Sequence, residues 1–595
     1  VLLPLLRAPR AISVVGGAFP VSRRAFLAAA LALLVAGSPS GRAFAQAAPA
    51  VAAAPANSGA VAAAPHKAAI ASAHPLATQA GQEILAKGGN AFDAAIAVAA
   101  ALAVVEPGSS GVGGGGFYLL HVAKDRRYTM VDARETAPAA ATRDMYVDAD
   151  GKVKRDASRD GPLAAGIPGE PASWAYLAEK YGKLPLSDSL APAIRLAREG
   201  FPLYARLQNA IRFKQKQLAE SRDASRVFLV KGQVPEVGHV IRQPDLAKTL
   251  DLIATKGFAG FYTGSFAERL VAGVRKGGGI WQLSDLAEYR VVEREPIRFT
   301  YRDATIVTSA PPSSGGIVIA NSLNILSAWD LKALDAVTRK HATIEAMRFA
   351  YRDRAEYLGD PDFVQIPTDK LLSPLYAAGQ RTAIRLDRAT PSAVLRPVAI
   401  GDESPSTTHF SVLDRDGNRV GGTISVNLFF GATYVVPGTG FFLNNTMDDF
   451  SAQAGTPNAF QLVGADANAI APRKRPLSSM TPTFVETPRG SMIIGSPGGS
   501  TIISNVLLGI LNYLDGRSAA EIVAAPRIHH QYLPDQVSFE PNALTPEERA
   551  ELEKRGHKLR EGRQWGNTQV VTWDFASGRV EAASDPRGFG AGLVY

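Results

Sequence analysis

The stretch Asp402–Asn418, "DESPSTTHFSVLDRDGN", sets two threonines at the head of an alternating run that ends in a turn signal. Period-two alternation is the mark of a strand, and it puts Thr407, His409 and Ser411 on one face and Thr408, Phe410 and Val412 on the other. "DRDGN" reads as a three-residue hairpin loop, Arg415–Asp416–Gly417, with glycine in the left-handed position. In the register of such a hairpin Asp414 lies opposite Asn418, His409 opposite Thr423, and Thr407 opposite Ser425, with Asn427 two residues further on the same face. A polar cluster therefore gathers around Thr407. Threonine pairs are ordinary sheet fillers, and a threonine hydroxyl is a weak nucleophile unless a base takes its proton. One available base is the residue's own α-amine, with a pKa of roughly 7.7–8.0, and it exists only once the chain is cut between Ser406 and Thr407.

The surrounding chain restricts the alternatives. A length of 595 residues with 46% hydrophobic and 20% charged side chains supplies a large core, so disorder is not the default reading. The absence of cysteine excludes disulfides, thiolate nucleophiles and cysteine-rich zinc sites, which leaves oxygen or amine nucleophiles. The formal charge of +9 is partly N-terminal, because Arg7, Arg10, Arg23, Arg24 and Arg42 fall in residues 1–45 without any acid; removing those five leaves +4. The remainder holds no cluster of Lys and Arg interleaved with aromatics, and nucleic-acid binding is not expected.

The N-terminal stretch "SRRAFL" (Ser22–Leu27) leads into the apolar run "AAALALLVAG" and the small-x-small pattern of "AFAQA". Residues 1–45 read as a twin-arginine export signal cleaved after Ala45, giving a periplasmic or secreted bacterial protein. The run is about half the roughly 20 residues needed to span a bilayer, so a stable membrane anchor is not expected. The Ala/Pro-rich residues 46–65 read as a flexible lead-in.

From about His66 the pattern becomes globular. A short strand-like "AAIASA" precedes two apolar helical stretches broken at Gly88–Gly89, both apolar enough to be buried. In "SSGVGGGGFYLLHVA" the residues Gly111, Gly113 and Gly116 satisfy G-x-G-x-x-G. A helix precedes these glycines and a strand follows, the reverse of the order that dinucleotide binding requires. Helical segments dominate from about Pro171 to Ala355, interrupted by the extended "YRVVEREPIRFTYRDATIVTSAPP", whereas the chain after Thr407 reads mostly as short strands with turn signals. This combination favours a layered α/β or α+β architecture. In "MIIGSPGGSTIISNVLLGILNYL" a strand passes through Ser496-Pro497-Gly498-Gly499 into a helix, and such a turn offers backbone amides suited to a developing oxyanion.

The ordered set "GNAFDAAIAVAAALAVVEP", "GGGGF", "ARETAP", "STTHFSV", "NNTMDDFS", "KRPLSSMTPT", "GSPGGS", "PRIHHQ" and "ASDPR" resembles the γ-glutamyltransferase (glutathione hydrolase) family over about His66 to Tyr595. The resemblance implies an α+β, four-layer αββα sandwich of the N-terminal-nucleophile hydrolase type. It also implies autocatalytic cleavage between Ser406 and Thr407, giving a large subunit (66–406) and a small one (407–595) that stay entwined as one structural unit. Thr407 is then nucleophile and base carrier, Ser425 its contact, and Gly498 and Gly499 the oxyanion hole. Arg134, aided by Ser478 and Ser479, is expected at the glutamyl α-carboxylate, and Asn427, Thr446 and Asp449 at the α-amino end. A bidentate guanidinium and an anion suit a carbon that bears both a carboxylate and an ammonium. Taken alone, Arg134 also reads as an ion-pair partner of Glu135 or Asp132, and Asp449 as a turn-capping acid.

The resemblance further implies γ-glutamyl compounds such as glutathione as acyl donors, water, amino acids or dipeptides as acceptors, and no cofactor or metal. The segment "AQAGTPNAFQLVGADANAIAPRKR" after Asp449 resembles a lid loop. Two positions depart from the better-known bacterial pattern. Ser425 replaces a usual threonine and loses the methyl that restricts the rotamer, and Thr446 stands where a glutamine or acid often sits. The alternatives are a cephalosporin (glutaryl) acylase of the same architecture, for which the Asp449 charge has no partner, and an unprocessed, inactive periplasmic scaffold.

Overall fold

The computed structural model describes residues 64–395, 406–453 and 456–595. The expected export signal and most of the lead-in lie outside them. The hairpin forms in the register read from the sequence: strands Thr408–Leu413 and Arg419–Ser425 pair antiparallel, His409 opposite Thr423 and Thr408 opposite Ile424. Across the loop the Asp414 N–H donates to Asn418 O (3.1 Å). The Asp414 carboxylate pins the loop by accepting the Asn418 N–H (2.9 Å), and it reaches the next layer by accepting the Ala91 N–H (2.9 Å) at the start of a helix.

This hairpin is the centre of a seven-stranded sheet, ordered Ala591–Val594, Ala69–Ser72, Thr408–Leu413, Arg419–Ser425, Gly115–Val122, Arg127–Ala133 and Val292–Arg294. A six-stranded sheet, ordered Val580–Ser584, Gln569–Asp574, Gly490–Gly495, Thr483–Thr487, Ala304–Thr308 and Ile297–Tyr301, packs against it. Each sheet takes strands from both sides of Thr407, so the two portions of the chain could not separate after a cut without tearing both sheets. The extended stretch after Tyr289 crosses between the layers: its first strand, Val292–Arg294, edges one sheet, and of its next two Ile297–Tyr301 edges the other while Ala304–Thr308 lies just inside it.

The polar face of the hairpin turns inward, toward the second sheet. His409 Nδ1 pairs with Thr423 Oγ1 (2.7 Å), its Nε2 with Ser411 Oγ (3.2 Å), and the Ser411 hydroxyl also reaches Gln569 O (3.3 Å). Burial holds the His409 pKa down at about 3, so the ring is neutral between the sheets. Gly495 makes room for it, since a Cβ there would lie 2.3 Å from the ring. The apolar face, with Phe410, Val412, Val420 and Ile424, packs under the helix Ala91–Val105, all of whose residues are buried. That helix is apolar on every side, as a helix enclosed by other layers must be. It is capped by Asn90, whose side chain accepts from Phe92 N (2.9 Å) while Asp93 accepts the Asn90 N–H (2.9 Å). The helices Gly315–Leu326, Ala336–Tyr357 and Thr501–Leu514 cover the other sheet, which completes the four αββα layers.

The sequence pattern overstated strand content after Thr407. Residues 426–482 belong to neither main sheet; they form loops with short helical turns at Thr446–Asp449 and Asp466–Asn468. Their backbone is satisfied by side chains instead of a ladder. Asn444 alone donates to Gly113 O and Gly166 O (2.7 Å each) and accepts from Gly166 N (2.9 Å). Among the described residues no helix is long and apolar enough to cross a membrane.

Candidate active site

Thr407 sits where the hairpin ladder ends, one step beyond the Thr408–Ile424 pair, and is 4% exposed. Its Oγ1 lies 3.1 Å from Ser425 Oγ and 2.6 Å from the carbonyl oxygen of Ser406. Ser425 Oγ also donates to Ser406 O (3.1 Å) and accepts the Asn427 N–H (2.8 Å). Two hydroxyl protons thus serve three contacts: with the Ser425 proton on the carbonyl oxygen, the Thr407 proton can pass toward Ser425 Oγ, freeing a Thr407 lone pair. The Ser406 hydroxyl donates to Gly108 O (2.7 Å), which anchors the chain just before the bond. Thr408 faces the other way, donating to the buried carboxylate of Glu106 (2.8 Å).

A cavity of about 20 Å³ adjoins Thr407, bordered by Ser425, Asn427, Arg134, Asp449, Ser478, Ser479 and Gly499. Seven of the residues expected from the sequence therefore meet around the eighth, Thr407. Gly498 adopts φ +140° and Gly499 φ +54°, backbone that favours glycine. The Gly498 carbonyl is tied back by Thr501 N–H (3.0 Å) and Thr501 Oγ1 (2.9 Å) as the helix begins, while neither glycine N–H has an acceptor among the described residues. Two unused amides at a helix start, in a buried turn, are donors held ready for an anion.

Arg134 is 1% exposed and lies at the end of the Arg127–Ala133 strand. Its guanidinium bonds Glu135 (3.2 Å), Pro476 O (3.3 Å) and the Asp449 carboxylate. Burial works against its charge, but Glu135 and Asp449 outweigh that and raise its pKa. Burial pushes Asp449 up to about 6 and Glu135 up to about 7, both opposed by Arg134. The Glu135 pairing matches one of the readings of "ARETAP" from sequence, and Asp132 instead accepts the Arg134 backbone N–H (2.9 Å). Asn427 borders the cavity with φ +80°, yet its side-chain amide already donates to Asn445 O (2.9 Å). Thr446 is fully buried outside the cavity lining, its hydroxyl donating to Asn444 (2.6 Å).

The expected lid folds over this site. Phe460 and Leu462 border the cavity, and the Phe460 ring lies where a Cβ on Gly499 would stand, 2.3 Å away. The loop is fastened by Ala459 N–H to Asp448 (2.8 Å) and by Gln531 to Phe460 O (3.2 Å). The sequence reading missed Arg354, a second buried guanidinium of the cavity, because nothing in "FAYRDRAEYLG" separates it from its charged neighbours on the same helix. A far larger cleft, about 1160 Å³, lies between Tyr204, Phe213, Phe429 and Phe589, but its apolar lining brings no nucleophile and base together. Among the described residues, His341, Glu345 and His557 could meet on a metal ion. Glu345 is already engaged by Arg348 (3.1 Å) and Thr390 N–H (3.1 Å), the two imidazoles bond each other (2.7 Å), and none of the three borders the Thr407 cavity.

A family model described as gamma-glutamyltranspeptidase matches residues 77–595. A glutathione hydrolase proenzyme of Pseudomonas sp. (strain A14) is 44% identical over 82% of this chain and 86% of its own. Among solved structures, a cephalosporin acylase from Bacillus halodurans superposes with a TM-score of 0.78 at 30% identity, covering 92% of this chain and 99% of that one. The gamma-glutamyltranspeptidase of Helicobacter pylori gives 0.53 at 41% identity over 55% of this chain and 93% of that one. With a match that runs through both portions of the sequence and takes in Thr407, the Gly498–Gly499 turn and the charged cavity residues Arg134, Arg354 and Asp449, the chain belongs to the gamma-glutamyltranspeptidase family.

Proposed function

We propose that the chain is an autoprocessing threonine hydrolase and transferase that cleaves the γ-glutamyl amide bond of glutathione and related compounds. The observation that carries this reading is the contact set at Ser406–Thr407, where two hydroxyls converge on one carbonyl oxygen. In processing, Thr407 Oγ adds to the Ser406 carbonyl carbon, the Ser406–Thr407 C–N bond breaks, and an ester joins the two portions. Water then hydrolyses the ester, leaving a Ser406 carboxylate and a free Thr407 amine.

That amine is the base the hydroxyl lacked. It takes the Thr407 proton as Oγ adds to the γ-amide carbon, the Gly498 and Gly499 N–H groups hold the oxyanion, and the departing amine leaves with the proton. The γ-glutamyl ester on Thr407 passes to water or to an acceptor amine such as an amino acid or dipeptide. Arg134, Ser478 and Ser479 bind the α-carboxylate and Asp449 the α-ammonium. Room for about one water is all that 20 Å³ provides. Substrate entry therefore requires the lid residues Phe460 and Leu462 to move outward, with their return excluding water.

Export by the twin-arginine route to the periplasm fits the "SRRAFL" signal, and cleavage then divides the exported chain into pieces of about 38 and 20 kDa by residue share of 62.9 kDa. The likeness to a cephalosporin acylase supports a second reading, turnover of glutaryl amides, but Asp449 places a largely enclosed anion, its side chain 11% exposed, where a glutaryl chain offers no cation. Thr407→Ala tests the main proposal. It is expected to run as one uncut chain without acyl-transfer activity on a denaturing gel and anilide assay, and normal cleavage in that variant would overturn the assignment.

A further inference from the structure

Arg354 projects from the helix Ala336–Tyr357 into the lining of the Thr407 cavity and is 4% exposed. Arg134 is engaged by two carboxylates, whereas Arg354 forms no ion pair among the described residues; Asp449 is the carboxylate whose field reaches it. Charged side chains are seldom buried without a partner of opposite sign, so an arginine held this way beside a nucleophile marks a place built for an anion.

Its hydrogen bonds show how it acts. Arg354 Nε donates to Ser314 Oγ (2.9 Å) and Nη2 donates to Ser479 Oγ (3.4 Å). A guanidinium only donates, so both hydroxyl oxygens must accept from it and send their own protons elsewhere. The Ser314 proton goes to Ser478 O (2.7 Å), and the Ser314 N–H reaches the same oxygen (2.7 Å). The Ser313 hydroxyl holds Met480 O (2.7 Å). The stretch Ser478–Met480 is thereby clamped, and the Ser479 hydroxyl, which borders the cavity, has no acceptor among the described residues; the neighbouring Ser478 hydroxyl accepts the Met480 N–H (3.1 Å) and is likewise without an acceptor, but only Ser479 is held by Arg354.

We propose that Arg354 is a positioning residue that orients the Ser479 hydroxyl proton into the cavity and supplies the positive field for the carboxylate of the acyl donor. The inference rests on the γ-glutamyl reading for the reaction, and it divides recognition in two. Arg354 and Ser479 select any acyl chain with a carboxylate distal to the reacting carbonyl, γ-glutamyl or glutaryl, while Asp449 adds the preference for an α-ammonium.

Steady-state kinetics with γ-glutamyl 4-nitroanilide test this, with a denaturing gel confirming that each variant is processed. Arg354→Gln is expected to raise KM roughly tenfold, the scale of one hydrogen bond to a charged group, with kcat changed far less. Ser479→Ala should act in the same direction, and the double variant should be no worse than the more damaging single change, because the two residues form one device. Arg354→Lys, which keeps the charge and loses the fork, should fall between wild type and Arg354→Gln. An unchanged KM, a loss confined to kcat, or additive effects would overturn the proposal. Should Arg354→Gln not be processed, Ser479→Ala and Arg354→Lys decide, and a wild-type KM in both overturns it. Wild-type enzyme inert toward γ-glutamyl 4-nitroanilide would refute the γ-glutamyl reading instead, and the same variants assayed on glutaryl 4-nitroanilide would then test Arg354 separately.

Discussion

The Arg134 guanidinium and the Asp449 carboxylate, expected from sequence to grip opposite charges of one substrate carbon, are hydrogen-bonded to each other. On the proposed γ-glutamyl reading, a zwitterion entering between them exchanges one internal ion pair for two external ones, so neither charge is left bare in the closed site. The arrangement has a pH signature. Burial raises Asp449 to about 6, so its anion is fully present above that pH and is lost as pH falls through it. The free Thr407 amine must be neutral to act, which adds a second loss below roughly 7.7–8.0. The logarithm of kcat/KM for γ-glutamyl 4-nitroanilide should therefore fall with slope one below neutrality and slope two below about pH 6, because kcat/KM reports groups of the free enzyme. A slope that stays at one down to pH 5 would remove Asp449 from substrate recognition.

Asp449→Asn separates the two acyl classes. Truncating one partner of an enclosed, hydrogen-bonded charge pair costs roughly 2–5 kcal/mol, so kcat/KM for the γ-glutamyl anilide should drop by about thirtyfold to several thousandfold. The glutaryl anilide, with no ammonium to bind, should be spared or improved. Parallel losses on both substrates, measured side by side, would mean that Asp449 acts by holding Arg134 and not by contacting the ammonium.

Much of this site was legible because strand periodicity is rigid. Alternation and one turn motif were enough to place Thr407 opposite Ser425, and the structure continues that register to within one residue of the pair. The same alternation could not tell that the polar face of His409 and Ser411 is dry, because a paired polar residue between two sheets looks like a solvated one in sequence. Thr446 illustrates a different limit. Its spacing from Asp449 is compatible with a shared role, yet Asn444 captures its hydroxyl two residues away, a local competition that only the loop geometry reveals. Arg354 was invisible for a third reason, since its function comes from a serine more than a hundred residues distant in the chain.

Ser425 should govern the rate of chain cleavage more than its outcome. Its hydroxyl donates to the Ser406 carbonyl oxygen, where negative charge develops as Thr407 attacks. Removing such a donor costs roughly 10²–10³ in rate, so Ser425→Ala should accumulate uncut precursor in a time course that wild type completes. Ser425→Thr keeps the hydroxyl and restricts the rotamer, and should process at least as fast as wild type. Equal rates in the alanine variant would assign the oxyanion to another donor.

Gly499 and Phe460 should behave as one unit that couples the oxyanion turn to the lid. A Cβ at Gly499 meets two obstacles, a backbone φ of +54° and the Phe460 ring at 2.3 Å. Gly499→Ala must displace the ring, the turn or both, and a misplaced amide donor costs about 10²–10³ in kcat. Phe460→Ala removes the collision but opens the site to water, so alone it should raise KM and leave cleavage into two chains intact. In the double variant the steric part of the Gly499→Ala loss disappears while the backbone part remains. Its kcat should accordingly exceed that of Gly499→Ala, a non-additivity expected only for residues in direct contact. A double variant as slow as the product of the two single losses would place the lid ring away from the oxyanion turn in the working enzyme.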